Sequence, residues 1–264
     1  MRSVLAVLGV ASVIVWLLLY REKPQIKPGT VFAIVPWTVL AASLLIYSSF
    51  SEFPEYARPL ATPLTITIAT LFLFGFFYLL FDQLAAMNGS QSSLDYYIGA
   101  MGVGTALILV LIIIMLGGFS LADLLWLTVI PIISGMLATM AIILFTMLSP
   151  DVAAYTGIVG WLAVTAHVME AITTAVRLEI FGPEAHTIIT RSLAELSNNI
   201  PILATVPFGW EYVVLRLLIA VILVAVIAPV VRNSPRRGYV ALGIFTILGV
   251  YPAAYDILRS TLIA

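Results

Sequence analysis

One apolar stretch with a polar stripe indicates both the fold and the candidate site. It reads Trp161-Leu-Ala-Val-Thr-Ala-His167-Val-Met-Glu170-Ala-Ile-Thr-Thr174-Ala-Val-Arg177. At about 100° per helical residue, the polar members of this stretch fall within roughly 80° of one another on one helix face. They are His167, Glu170, Thr174 and Arg177. Trp161 points to the opposite face.

The composition places this stretch inside a membrane. Hydrophobic residues make up 62% of the chain and charged residues 9%, whereas a soluble domain carries about 25% charged residues. The chain is therefore predicted to be a polytopic membrane protein. Because an ionisable group at membrane depth is energetically costly, it is expected to face the protein interior or a water-filled cavity. The polar stripe is thus the leading candidate for a functional site.

Hydropathy predicts an all-α polytopic transmembrane helix bundle that forms a single integral membrane domain over residues 1–264. A spanning helix needs about 20 mostly apolar residues. The apolar run at the N-terminus is interpreted as a retained span, because Tyr20-Arg-Glu-Lys is a poor signal-peptide cleavage site. About eight spans are predicted, near residues 3–20, 31–50, 61–81, 97–117, 124–148, 154–178, 210–231 and 239–258.

One further helix is predicted between the sixth and seventh spans, over residues 183–199. Pro183 suits the first helical position, and Asn199 followed by Ile and Pro201 suits a helix end. The segment is too short and too polar to cross a bilayer. It is expected to be an interfacial or re-entrant amphipathic helix.

Basic residues in short loops predict the orientation. Cytoplasmic loops are enriched in Lys and Arg, which here concentrate after the first and the seventh predicted spans. Both loops are therefore expected on the cytoplasmic side of the cell membrane, with both termini outside. At the start of the seventh span, Glu211 and Arg216 are expected to be interfacial anchors. The basic residues in the two loops are Arg21, Lys23, Lys27, Arg232, Arg236 and Arg237.

The stripe has the chemistry of a metal site. The chain has two histidines and no cysteine, so a metal would be bound by His and carboxylate ligands. Glu and His three residues apart on one helix build di-metal sites in soluble bundles. We expect His167, Glu170 and His186 to hold Zn²⁺ or another divalent metal. Residues two apart on a helix diverge by about 200°, so if His186 binds the metal, Glu184 is expected to act as a general base or to orient a ligand, unless the chain is irregular there. Arg177 is expected to stabilise an anionic group.

A structural interpretation of the same residues stays open. His167 and Glu170 could form a hydrogen bond with each other, while Glu184 and His186 cap a surface helix. In that case Arg177 would extend to the interface or pair with Glu170. These roles would require neither metal nor ligand.

Several segments resemble an archaeal family of polytopic membrane proteins known as domain of unknown function number sixty-three. That family has a His-x-x-Asp-Ala-x-x-Thr helix followed by a Tyr-x-Glu-x-His element. This sequence has Glu170 where the family has Asp, and Phe181-Gly182 where Tyr is usual. The resemblance covers most of the chain and implies an archaeal membrane protein with a His/carboxylate site, but no established activity. The segments that carry it are His167-Val-Met-Glu-Ala-Ile-Thr-Thr174, Glu184-Ala-His186, Val35-Pro36-Trp37, Thr62-Pro63-Leu64 and Leu248 to Arg259.

Three functions fit these patterns. A metal-assisted intramembrane hydrolase would act on a lipid or membrane-embedded substrate, using a zinc-bound water whose pKa is lowered to about 7. A carrier for a proton, an ion or a small solute would use the same residues as a relay or binding site. The third is a non-catalytic subunit of a membrane assembly. The absence of a recognisable inverted repeat slightly favours the enzyme. Expected partners are the lipid bilayer and a lipid or small-molecule ligand. Nucleic acid is not expected, because the net charge is −1 and the sequence has no basic tract.

Overall fold

The computed structural model is a bundle of long helices. It describes residues 26–55, 57–58, 61–88, 94–118, 121–181 and 210–263, together with Val10, 13–15 and Leu17. The described ranges contain no strand, and seven of their helices are long and apolar enough to cross a membrane. The predicted all-α, multi-pass membrane fold is therefore confirmed. The helices are α1 (Pro28–Tyr47), α2 (Pro63–Asn88), α3 (Leu94–Gly117), α4 (Leu121–Leu148), α5 (Pro150–Phe181), α6 (Trp210–Asn233) and α7 (Pro235–Ile263).

Seven of the predicted spans coincide with these helices, but several begin earlier than hydropathy predicted. Four helices start at a proline, at positions 28, 63, 150 and 235. Proline suits the first helical position because its missing N–H would have no intrahelical partner there. The predicted span near 3–20 lies mostly outside the described residues, and the predicted amphipathic helix over 183–199 lies wholly outside them. Both stay predictions.

The chain divides into two compact units, Met1–Phe119 and Ser120–Ala264, and the single membrane domain expected from the sequence stays a prediction. In the first unit, α1 packs closely against α3. The indole Nε1 of the buried Trp37 donates a hydrogen bond to the carbonyl oxygen of Ile98 at 3.1 Å. A Cβ at Gly102 would lie 2.6 Å from that Nε1, so the indole packs where a side chain would otherwise stand.

Helix α5 contacts all the other described helices of the second unit, α4, α6 and α7. Most of its residues between Val159 and Ala175 are buried, as expected for a helix surrounded by others. On the α4 side, the Nε1 of Trp161 donates to Thr139 Oγ1 at 2.9 Å. The face opposite Trp161, which carries the polar stripe, is thus left for contacts with α6 and α7.

Two contacts fix the antiparallel register of α5 and α6. Glu170 pairs with Arg216 toward one end of the helices, and the Arg232 guanidinium lies 5.3 Å from the ring centroid of Tyr155 toward the other end. The separation between the two contacts is nearly the same along both helices. The end of α5 and the start of α6 therefore lie at the same end of the bundle.

Helix α5 is interrupted near its start. Gly157 has φ 52° and ψ −141°, which is not helical. Only glycine adopts this region readily, because other residues would place a Cβ against the backbone. The position lies about 10 Å from Pro150 at 1.5 Å per residue. The long, regular part of α5 that carries the polar stripe therefore begins after this break.

Helices α5 and α7 approach each other closely at Gly249. A Cβ on Gly249 would lie 2.7 Å from the carbonyl carbon of Ala166 and 2.9 Å from the amide nitrogen of His167. Both atoms belong to the α5 backbone, which cannot move aside as a flexible side chain would. Glycine at this position is therefore what allows α7 to reach His167.

Candidate functional site

Glu170 is the centre of a polar cluster between α5 and α6. Its side chain is 6% exposed. The hydroxyl of Tyr212 donates to Oε1 at 3.0 Å, and Nε of Arg216 donates to Oε2 at 2.8 Å. Each carboxylate oxygen thus has one partner on α6. This pattern satisfies the charge of a carboxylate that the helix packing removes from water.

Arg216 provides the positive charge of the cluster. It lies six residues into α6, about 9 Å from the first residue of the helix. Its guanidinium contacts Glu170 through Nε alone. In the part of the chain that the structure describes, no hydrogen bond of its two terminal nitrogens is found, and the side chain is 18% exposed. Arg216 thus pairs with a carboxylate on α5, a partner that the sequence analysis did not assign, and its role as an interfacial anchor stays a prediction.

His167 lies one helical turn before Glu170 and faces α7. Its Nε2 is 2.9 Å from the carbonyl oxygen of Phe245, and the two rings are inclined by 31° with centroids 3.9 Å apart. A carbonyl oxygen only accepts, so Nε2 carries the hydrogen of this bond. In the neutral imidazole, Nδ1 then has a lone pair and no hydrogen. Nδ1 is buried and has no hydrogen-bond partner among the described residues.

Other polar groups surround this cluster. Asp256 on α7 is within electrostatic range of Glu170, and Thr173 and Thr174 are buried on α5. The hydroxyl of Thr173 donates to the backbone carbonyl of Glu170 at 2.8 Å. The cluster therefore draws on three helices, and its core is a carboxylate, a guanidinium and an imidazole.

The structure places the sequence-predicted residues as follows. His167 and Glu170 lie on the buried face of α5, as predicted, and each bonds to a neighbouring helix instead of to the other. The structural interpretation in which they bond to each other is thus not observed. Arg177 belongs to α5, but its side chain lies outside the described part. Glu184 and His186 lie outside the described residues, so their predicted roles stay predictions.

The metal prediction is not tested by the described residues. Among the residues that the structure describes, no three His, Asp or Glu side chains are grouped to hold a metal ion. Glu170 is engaged by Tyr212 and by the positive charge of Arg216, which repels a cation. His167 has a nitrogen lone pair suited to a metal. Because His186 lies outside the described chain, the site formed by all three predicted ligands stays a prediction.

The sequence analysis missed the partners on the neighbouring helices. Tyr212 was not singled out, and Arg216 was assigned to the interface. A signal was available, because Tyr212 and Arg216 are four residues apart and therefore share one face of a helix. A Tyr and an Arg on one face within an apolar span require an acceptor on another helix. The sequence does not identify which acceptor, since Glu170 lies 46 residues before Arg216.

Comparison of the chain with protein-family models, with curated proteins and with solved structures finds no match. The resemblance to the archaeal family of unknown function therefore stays a hypothesis that rests on the motifs quoted from the sequence. The site has to be interpreted from its own chemistry.

Proposed function

We propose that this chain is a carrier of the cell membrane that couples the movement of a small solute to the movement of a proton. The observation that carries the proposal is the 2.8 Å ion pair between Glu170 and Arg216 inside a bundle of apolar helices. Ionisable groups within membrane spans are costly, and they characteristically mark proton relays and the pathways of ions and solutes. Protonation of Glu170 would neutralise the carboxylate and release the guanidinium for a solute.

His167 adds a second position for the proton. The lone pair of its Nδ1 can accept a proton, and Glu170 is one helical turn away, where side chains of a helix are neighbours. A proton on His167 and a proton on Glu170 are therefore two states of one relay. The solute would bind to the positive charge of Arg216, which Glu170 releases when it is protonated.

The proposed location of the carrier is supported by its loops and by the family resemblance. The basic residues after the first and seventh predicted spans favour a cytoplasmic side for those loops and an external side for both termini. The resemblance to the archaeal family supports an archaeal cell membrane as the location. With this orientation, the ion pair lies in the outer half of the bundle.

The proposal is tested with purified protein in liposomes that contain a pH-sensitive dye. The solutes added outside, one at a time, are inorganic phosphate, bicarbonate, acetate and lactate. We expect at least one of them to drive a change of internal pH that exceeds the change in empty liposomes. Glu170→Gln should abolish this excess, whereas Arg237→Gln, an exposed substitution on α7, should retain it. No excess with any of the solutes would contradict the carrier.

A metal-assisted intramembrane hydrolase is the second candidate, and the bare Nδ1 of His167 is the observation that favours it. Zinc would be bound by His167, Glu170 and His186, with Glu184 as the base and Arg177 as the stabiliser of an anionic group. Its substrate would be a lipid or another membrane-embedded molecule. Metal analysis of the purified protein and of His167→Ala tests this candidate. Stoichiometric zinc that is lost in the variant would favour the enzyme over the carrier.

A further inference from the structure

The polar cluster leaves two kinds of hydrogen-bonding capacity unused. Arg216 uses Nε for Glu170, and its terminal nitrogens donate no hydrogen bond to any described residue. His167 is 2% exposed, and its Nδ1 is buried without a partner among the described residues. An unused polar group inside an apolar bundle is costly. Nδ1 of His167 is such a group, whereas the terminal nitrogens of Arg216 retain some exposure, and both kinds of group can bind a ligand.

Both groups are neighbours of Glu170. His167 and Glu170 are three residues apart on α5, so their Cβ atoms are about 5–6 Å apart. Glu170 in turn contacts Arg216 at 2.8 Å. The charge of Arg216 is also within electrostatic range of the His167 ring. The unused donors on α6 and the unused acceptor on α5 therefore lie on either side of one carboxylate in contact and sequence order, which makes them candidates for one site.

Their chemistry defines the class of ligand. The terminal guanidinium nitrogens only donate, and their geometry matches the oxygens of a carboxylate or a phosphate. Nδ1 of His167 only accepts while Nε2 donates to Phe245. A ligand that satisfies both needs negatively charged oxygens and one hydroxyl hydrogen. Hydrogen phosphate and the monoanion of a phosphate monoester have both features, whereas sulfate has no hydroxyl hydrogen at neutral pH.

We infer that His167 and Arg216 form a subsite for a small oxyanion that retains an O–H group, of the hydrogen-phosphate class. The O–H donates to Nδ1 of His167, and the anionic oxygens accept from the terminal nitrogens of Arg216. The inference deepens the proposed carrier function by naming its solute. Only the claim that this ligand is transported rests on the proposed carrier function, since binding can be measured without transport.

Phosphate and sulfate are a matched pair of probes, because both are tetrahedral oxyanions and only phosphate retains the hydroxyl hydrogen. We expect isothermal titration of the purified protein at neutral pH to show phosphate binding about 10- to 100-fold tighter than sulfate, the factor expected for one buried acceptor left unsatisfied. His167→Phe keeps an aromatic ring against Phe245. It should reduce phosphate affinity to the level of sulfate and leave sulfate affinity unchanged.

Arg216→Lys tests the anionic half of the subsite. Lysine keeps a positive charge for Glu170 but lacks the planar set of spare donors. This variant should weaken phosphate and sulfate binding by the same factor. Arg237→Gln should change neither. Equal affinity for the two anions in the parent protein, or phosphate binding that His167→Phe leaves unchanged, would overturn the subsite.

Two sources could supply this chemistry, and vesicles distinguish them. Phosphatidic acid is a phosphate monoester whose monoanion retains the hydroxyl hydrogen, whereas phosphatidylglycerol is a diester without it. Binding to vesicles with phosphatidic acid but not to inorganic phosphate would assign the subsite to a lipid headgroup, and the opposite result would assign it to a free solute. Binding of neither overturns the inference. If another solute then still moves protons in liposomes, the carrier stands without this subsite. If phosphate binds but no solute moves protons, the carrier fails and the subsite stands.

Discussion

Breaking the ion pair between Glu170 and Arg216 should cost more stability than removing both of its members. Removal of one partner of a buried pair typically costs about 3–5 kcal/mol, because the other charge stays buried without compensation. The remaining group differs between the two single variants. Arg216→Gln leaves a carboxylate that is 6% exposed, whereas Glu170→Gln leaves a guanidinium that is 18% exposed.

These exposures set the expected order of the single variants. The guanidinium retains some hydration, so we expect Glu170→Gln to lower the free energy of unfolding by about 3 kcal/mol, the lower end of the range. The more buried carboxylate should make Arg216→Gln cost about 4 kcal/mol. The hydroxyl of Tyr212 keeps an acceptor in both variants, because the new amide in the first variant and the native carboxylate in the second still present an oxygen.

The double variant Glu170→Gln/Arg216→Met removes both charges, fills much of the same volume and keeps an oxygen that accepts from Tyr212. Such replacements are commonly neutral or stabilising, so its free energy of unfolding should lie within about 1 kcal/mol of the parent value. The assay is SDS titration in mixed micelles, followed by circular dichroism. Arg237→Gln, an exposed substitution, should stay within about 0.5 kcal/mol of the parent.

Two results would refute this reasoning. If either single variant unfolds like the parent, the pair carries no buried charge that needs compensation. If the double variant loses about as much stability as the two single variants together, the pair contributes through packing and not through charge. The double variant also separates stability from function, because it should be stable and yet inactive in the liposome assay.

Three further predictions address the helices and their orientation. Gly249→Ala should lower stability by about 1–3 kcal/mol, because its methyl group meets the α5 backbone; a melting temperature equal to that of the parent would contradict this contact. Gly157→Ala should also be destabilised by about 1–3 kcal/mol, owing to its positive φ. A Cβ at Gly104, like one at Gly157, would meet open space, but Gly104 lies in a regular helix. Gly104→Ala should therefore raise the free energy of unfolding by about 0.4–1 kcal/mol. A change of the same sign in both variants would argue against the break at Gly157. Single cysteines in place of Lys27 and Ser234 should be protected together from an impermeant thiol reagent in intact cells, and labelling of only one of them would contradict the predicted orientation.

The spans could be predicted from the sequence because their signal is local. About 20 apolar residues in succession are enough to identify a span, and every long described helix overlaps a predicted one. The helix starts were predicted less accurately, because hydropathy does not include the preference of proline for the first helical position. At Pro150 the helix begins four residues before the predicted span near 154.

The candidate site could be predicted only in part, because half of it depends on pairing between distant segments. The period of an α-helix is enough to place His167 and Glu170 on one face. It does not specify that Arg216 binds Glu170, since this requires the antiparallel register of α5 and α6. Proximity to a helix start favoured an interfacial anchor. It does not reveal that the guanidinium pairs with a buried carboxylate on the facing helix.

The arrangement of α5 bears on how a carrier could move. Its cluster-bearing part is held on two sides, by the hydrogen bond of Trp161 to α4 and by the close approach of Gly249 on α7. The break at Gly157 lies toward the opposite end of the same helix. Hinges are short backbone segments that absorb a change in φ and ψ while the packed elements stay rigid. A rearrangement of α5 would therefore bend the helix at Gly157 and keep His167 and Glu170 in fixed relation to each other. In the proposed carrier, protonation of the cluster would then shift the two parts of α5 as rigid bodies. Alternating access in secondary transporters is largely a rigid-body motion of this kind around a fixed binding site.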